Sequence, residues 1–242
     1  MGRFTELAKR ERIRPAHVTI ARTLGVAIVT GDYHPGQTIP GEFDLADRFG
    51  VARNVIREAL RMLTAKGLIE SRRKTGTRVR ERADWNLLDT EMLGWMFEGA
   101  PPVNFVRSLF ELRLIVEPAA AALAATNRTA RQLARLGHAL ELMTQHGLES
   151  VAGQAADEQF HQVLLEATAN ELLASLSSSI SSAVRWTTFF KYRVVAEYVD
   201  SIPQHQLLFE TVARGDPAAA HAATTALIDQ ARKDTEQAMR GG

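Results

Sequence analysis

The stretch from Glu42 to Val79 constrains the fold of this chain more than any other. Two short runs of helical character, Glu42–Phe49 and a second from near Val51 to about Lys66, meet at Gly50. Glycine takes the left-handed conformation that a tight helix-to-helix turn requires. In the second run Val55, Ile56, Leu60 and Leu63 recur at helical spacing and mark its inner face. After Gly67 the period changes: Leu68-Ile69-Glu70 enters, Lys74-Thr75-Gly76 turns, and Thr77-Arg78-Val79-Arg80 returns with alternating character, as the two strands of a hairpin do. A further helix precedes them, from His17 to Thr30, with Val18, Ile20, Leu24 and Ile28 at helical spacing and Gly31 as its stop. Three helices followed by a two-stranded wing is the outline of a winged helix-turn-helix.

Charge gives that outline a partner. The formal net charge is only +1, yet residues 1–82 hold 17 Lys/Arg against 9 Asp/Glu, and residues 83–242 hold 12 against 19. A basic segment joined to an acidic one implies that only the first meets a polyanion. Its cations sit where a duplex would need them. Arg53 and Asn54 open the second helix, Arg57 lies one turn on along the same face, and Arg72, Arg73, Lys74 and Arg78 decorate the wing. An arginine can fork onto guanine in the major groove, and Gly76, with Thr77 after it, lets the wing backbone approach a phosphate strand.

The remainder reads differently. Residues 1–14 form a basic leader and residues 15–82 the winged helix-turn-helix, while 83–102 form a linker with a short helix held by Trp85, Trp95 and the leucines between them. From 103 to 242 the pattern is helical throughout, in amphipathic stretches that predict an all-α antiparallel bundle, with Pro118 marking a kink or junction in the first. The chain is therefore expected to be mainly α, in two domains. No apolar run reaches the roughly 20 residues of a membrane span, the first residues lack the apolar core of a secretory signal, and there is no cysteine, which together fit a cytoplasmic protein without membrane partners.

In the helical half Asp157 and His161 stand four apart and share one face, and His205 follows 44 residues later. A carboxylate and two imidazoles can hold a divalent cation, Zn²⁺ above all. They can equally be a surface ion pair and a distant histidine. A hydrolytic metal centre is the alternative use of the trio, but no general base accompanies it and the basic first half would have no role. A purely architectural DNA binder would leave the trio and Arg113 without one.

Residues 17–80, with G…PG…IPGEFDLADRFGVARNVIREAL…GLIE…GTRV, resemble the winged helix of the GntR regulators, departing at Ala52, where that family usually has Ser or Thr. Residues 104–228, with ELRLIVEPAAAALAA, the DEQFH box, NELL and QH…ARGD, resemble the FCD sensor of the FadR subfamily. The resemblance implies a homodimer on a palindromic DNA operator, contacted by Arg53, Asn54, Arg57 and the wing near Gly76, and no enzyme activity. It also implies a metal on Asp157, His161 and His205, although the usual fourth ligand position here holds Leu227, with His221 six residues off the pattern. Arg113 is implied to face the pocket and meet an effector carboxylate, the alternative being an ion pair with Glu117 on its own helix; Arg185 and Trp186 are further candidates for the cavity wall. Within the family, WNLLDTEMLGWMFE, ELRLIVEPAAA and SSISSAVR are similar to repressors of sugar-acid catabolism, which implies an aldonate effector such as galactonate, with other organic acids as the alternative.

Overall fold

A computed structural model describes residues 15–72, 76–98, 101–194 and 200–241. The basic leader and the wing residues Arg73 and Lys74 lie outside them. The chain divides into two compact units, residues 1–99 and 100–242.

The first unit is built on α1 (Ala16–Val29), α2 (Glu42–Phe49) and α3 (Arg53–Ala65), followed by β1 (Ile69–Arg72), β2 (Gly76–Val79) and α4 (Thr90–Glu98). Both α1 and α2 pack on α3, and Ile20, Leu24, Ile28, Leu45, Ile56 and Leu63 fill the space between them. Gly50 ends α2 at φ 63°, ψ 35°, which lets α3 start three residues later. The strands pair antiparallel from Ile69 opposite Val79 to Arg72 opposite Gly76. The stretch before α2 adds a third edge to the wing, because the Ile39 amide donates to the Thr77 carbonyl and the Val79 amide to that of Gln37, each at 2.9 Å.

Within residues 83–102, expected as a linker with a short helix, lies α4, whose Met92–Phe97 are all buried. This helix packs on α1, and Trp95 lies so close to Gly25 that a Cβ there would fall 2.3 Å from the indole. Lys66, 8% exposed, fastens the same region through 2.7 Å contacts to Asp89 and Glu91. Burial works against the lysine's charge, but the hydrogen bonds and charges of Asp89 and Glu91 outweigh it and raise the pKa above its ordinary value. Asp89 also caps α4, accepting from the Glu91 and Met92 amides at 3.0 Å.

The second unit is all-helical among the described residues: α5 (Val103–Asn127), α6 (Ala130–His146), α7 (Val151–Glu166), α8 (Glu171–Ser175), α9 (Ser177–Val194), α10 (Ile202–Arg214) and α11 (Pro217–Gly241). Local chemistry sets the boundaries. Thr129 and Gln132 form a reciprocal capping box before α6, Ser150 accepts from the Gly153 amide at the start of α7, and Asn170 accepts from the Leu172 and Leu173 amides at the start of α8. Helix α5 runs through Pro118 without a break, so of the two readings, kink or junction, the junction does not occur. Its Ala121, Ala124 and Ala125 are fully buried, and such small residues let α11 lie close along it. Phe160, Val163 and Leu164 of α7 complete the core with Leu136, Met143, Leu208, Val212 and Leu227.

Candidate functional site

Deep in the second unit, charged side chains converge where an amphipathic bundle would ordinarily be apolar. Arg113 and Glu117 of α5, Asp157 and His161 of α7 and His205 of α10 are all 3% exposed or less. They meet because each pair sits one helical turn apart on the inner face of its helix. Arg113 Nε donates to Glu117 Oε1 at 2.6 Å, and its Nη1 donates to Thr187 Oγ1 at 3.3 Å. Glu117 Oε2 lies 2.6 Å from His161 Nδ1. The intrahelical ion pair, one of the two readings open for Arg113, is therefore present. Burial opposes the Glu117 charge, but the Arg113 and then the His161 charges more than offset it and bring its pKa from 4.5 to about 2.

The second carboxylate faces the imidazoles. Asp157 Oδ1 is 3.1 Å from His205 Nε2 and 3.6 Å from His161 Nε2, and Oδ2 accepts from Thr188 Oγ1 at 3.1 Å. Here too burial opposes the charge, while the nearness and charge of His205, and then the charge of His161, hold the carboxyl at about 2. His205 Nδ1 lies 2.8 Å from the Ser201 carbonyl, which can only accept, so that nitrogen carries a proton. In the neutral ring Nε2 is then a lone pair turned toward a carboxylate oxygen. Both atoms are buried without a hydrogen-bond partner. A proton or a cation must lie between them, and the three ligand atoms of Asp157, His161 and His205 all fall within 4.8 Å of one another. The donor set thus suits a divalent cation. Leu227, buried in the same wall, supplies no fourth ligand.

Arg113, Asp157, His161, His205 and Leu227 line a cavity of about 30 Å³ together with Thr187, Thr188, Lys191, Tyr192, Ser201, Asp234 and Thr235, while Glu117, also a candidate effector contact from the sequence, lies behind Arg113 and His161 and does not line it. That is room for about one water. Lys191, 3.0 Å from Asp234 Oδ2, adds a second buried ion pair to the wall. Sequence reading missed this pair and the threonines, since a lysine in FFKYR and an aspartate in a charged tail look like solvent-facing residues. Two expected residues do not join them. Arg185 is exposed and pairs with Glu158 at 3.3 Å, and Trp186 packs edge-on against Phe189, so neither lines the cavity.

In the first unit the expected contact residues at the start of α3 are exposed. Arg53 opens α3 with its side chain 52% exposed, Arg57 one turn on is 64% exposed, and one carboxylate, Glu42 of α2, reaches both at 3.5 and 3.8 Å. Asn54 is exposed and accepts from the Val55 amide at 3.0 Å. Ala52 has no side-chain oxygen to cap α3. On the wing Arg72 is exposed and paired with Glu70, Gly76 is exposed at φ 84°, and Thr77 is half-buried. Arg78 instead folds back onto the Gly36 carbonyl. The sequence reading also missed Phe43, an exposed aromatic of α2 lying beneath the Arg53 guanidinium.

Comparison with known proteins places both halves. Residues 17–79 match the model of the bacterial regulatory proteins of the gntR family, and residues 108–230 match the FCD domain. The chain is 35% identical over 212 residues to the galactonate operon transcriptional repressor of Escherichia coli K12, covering 86% of this chain and 92% of that protein. It is 31% identical over 207 residues to the HTH-type transcriptional regulator LutR of Bacillus subtilis 168, covering 82% and 91%. A solved structure of the Listeria monocytogenes regulator Lar superposes with a TM-score of 0.63 at 17% identity over 94% of this chain and 99% of that one, a likeness of fold.

Proposed function

The chain belongs to the GntR family of bacterial regulatory proteins and carries an FCD domain, which makes it a DNA-binding transcriptional regulator rather than an enzyme, and from that premise we propose that it represses an operon for sugar-acid breakdown and is released by its acid. Arg53, Asn54 and Arg57 enter the major groove of a palindromic operator, with Arg72, Gly76 and Thr77 against the phosphates, and a homodimer matches the two half-sites. The observation that carries the sensing half is the buried convergence of Arg113, Asp157, His161 and His205 on one cavity.

With a divalent cation on Asp157, His161 and His205 the cluster would carry a net positive charge, which an anion would balance. Arg113 spends Nε on Glu117 and Nη1 on Thr187, which leaves a further guanidinium nitrogen for a carboxylate. Asp157, His161 and His205 would hold a divalent cation, which when bound supplies a positive charge for the same carboxylate. The hydroxyls of Thr187, Thr188, Ser201, Tyr192 and Thr235 suit the hydroxyls of a polyol chain. An aldonate such as galactonate, the acid named for the Escherichia coli relative, combines these features.

A cavity of about 30 Å³ does not admit a six-carbon acid as it stands. Entry must displace side chains of its wall, and that displacement is how binding favours one state of the regulator over another. The same small volume favours a second reading, a shorter hydroxy acid of two or three carbons. Thermal shift with aldonates, uronates and short hydroxy acids, each with and without chelator, separates the two, because a bound ligand raises the apparent stability. The leading acid should then weaken operator binding. An operator Kd unchanged by every aldonate and uronate would overturn the sugar-acid reading.

A further inference from the structure

Phe43 is an exposed aromatic side chain of the first unit, at 68%, beside the charged Glu42 and Arg53. It is the second residue of α2, and the carbon of the Arg53 guanidinium lies 3.7 Å from its ring centroid. That separation is well inside the reach of a cation–π contact and matches a guanidinium laid over the ring face. The neighbouring Glu42 touches one end of the same guanidinium at 3.5 Å. Arg53 is thus held on one face by a ring and at one edge by a carboxylate, with the rest of its fork turned outward, 52% exposed.

An exposed phenylalanine costs solubility and contributes little to the core, and α2 buries Leu45 without its help. The ring has a use once the arginine is on a duplex. A guanidinium that forks onto guanine O6 and N7 lies in the plane of that base. The ring 3.7 Å above it then falls at the level of the adjoining base pair, since stacked pairs rise by about 3.4 Å. The apolar feature the major groove offers at that level is the thymine C5-methyl.

We propose that Phe43 is a specificity-determining residue that fixes the Arg53 guanidinium and packs its ring on a thymine methyl beside the guanine Arg53 reads. The inference rests on the DNA-reading assignment of Arg53. The operator half-site should therefore contain a thymine directly adjacent to an Arg53-dependent guanine. A contact of this kind discriminates thymine from cytosine, which lacks the methyl, while Arg53 supplies the guanine preference.

The test uses the full chain and operator DNA obtained by selection from random duplexes. Each thymine is replaced singly by deoxyuridine, which removes the methyl and leaves the hydrogen-bonding edge intact. One thymine beside the Arg53-dependent guanine should weaken binding roughly fourfold when so replaced, the worth of one buried methyl-sized group. In Phe43→Ala the same replacement should have no further effect, while Phe43→Leu, which keeps an apolar contact, should retain part of it. Deoxyuridine without effect at every thymine next to that guanine, or an equal effect in wild type and Phe43→Ala, overturns the proposal. A wild-type chain that selects no sequence at all, or selected DNA indifferent to Arg53→Ala, defeats the underlying assignment instead.

Discussion

The two units handle charge in opposite ways. In the first, Arg53 and Arg57 stand half or more exposed and are tied to a single glutamate at 3.5 and 3.8 Å. In the second, Arg113, Glu117, Asp157, His161 and His205 have side chains 4% exposed or less, with contacts as short as 2.6 Å. Exposed pairs of the first kind contribute about 0–1 kcal/mol to folding, so those arginines are free to be chosen for what they touch outside. Buried groups of the second kind hold one another in place, and no member can be removed without stranding a charge. The exposed and the buried cluster thus load stability very differently. The first unit has its own buried cation, Lys66, but both its carboxylates are already at 2.7 Å, and it fastens α4 rather than facing a cavity.

The contrast breaks most visibly at Arg113. Arg113→Ala leaves Glu117 buried beside His161 with its strongest stabilising charge gone, and the loss should be about 3–5 kcal/mol. For a unit of this size that lowers the melting temperature by on the order of 10 °C. A calorimetric transition unchanged in this variant would mean that the buried cluster is not a mutually dependent set.

Next in size is the cation. Zinc at a hundred times its Kd should stabilise the protein by about 2.7 kcal/mol. In His205→Ala the stabilisation should vanish, and metal content after dialysis should fall from one ion per chain to none. Zinc that binds as tightly to His205→Ala sits elsewhere. Arg57→Ala sharpens the other side. Stability should move by less than about 0.5 kcal/mol, while operator affinity falls by roughly 5- to 150-fold, the worth of about 1–3 kcal/mol for one forked base contact. Full affinity in that variant would remove Arg57 from the reading face.

Legibility in sequence follows the same division. The first unit was open to reading because its elements are punctuated by glycines with one role each: Gly50 at φ 63° and Gly76 at φ 84° sit where the two turns were expected. What escaped there was contact between elements. Glu42 and Phe43 of α2 meet Arg53 of α3 through the turn, and Trp95 docks on Gly25 across some 70 residues of sequence, a packing that helical spacing in the linker does not reveal. In the second unit, spacing of four marked Asp157 with His161 and Arg113 with Glu117, but periodicity alone does not say which polar face turns inward. That ambiguity brought Arg185 and Trp186 into the expected site and left out Lys191 and Asp234. Residues 185 and 191 both lie on α9, and only the packing against α7 and α11 decides which of them is enclosed.

Arg185 therefore makes the smallest and most discriminating test of the comparison. It lies in the unit of buried charge, yet its side chain is 49% exposed and its partner Glu158 lies 3.3 Å away, the pattern of the first unit. If burial and not location governs cost, Arg185→Ala should lower stability by no more than about 1 kcal/mol. Because the residue does not line the cavity, the acid that stabilises the wild type should bind the variant with a Kd within twofold by calorimetric titration. A tenfold loss of acid affinity with unchanged melting would return Arg185 to the ligand site, and would mean that the wall of α9 rearranges around the acid to bring an outer residue in.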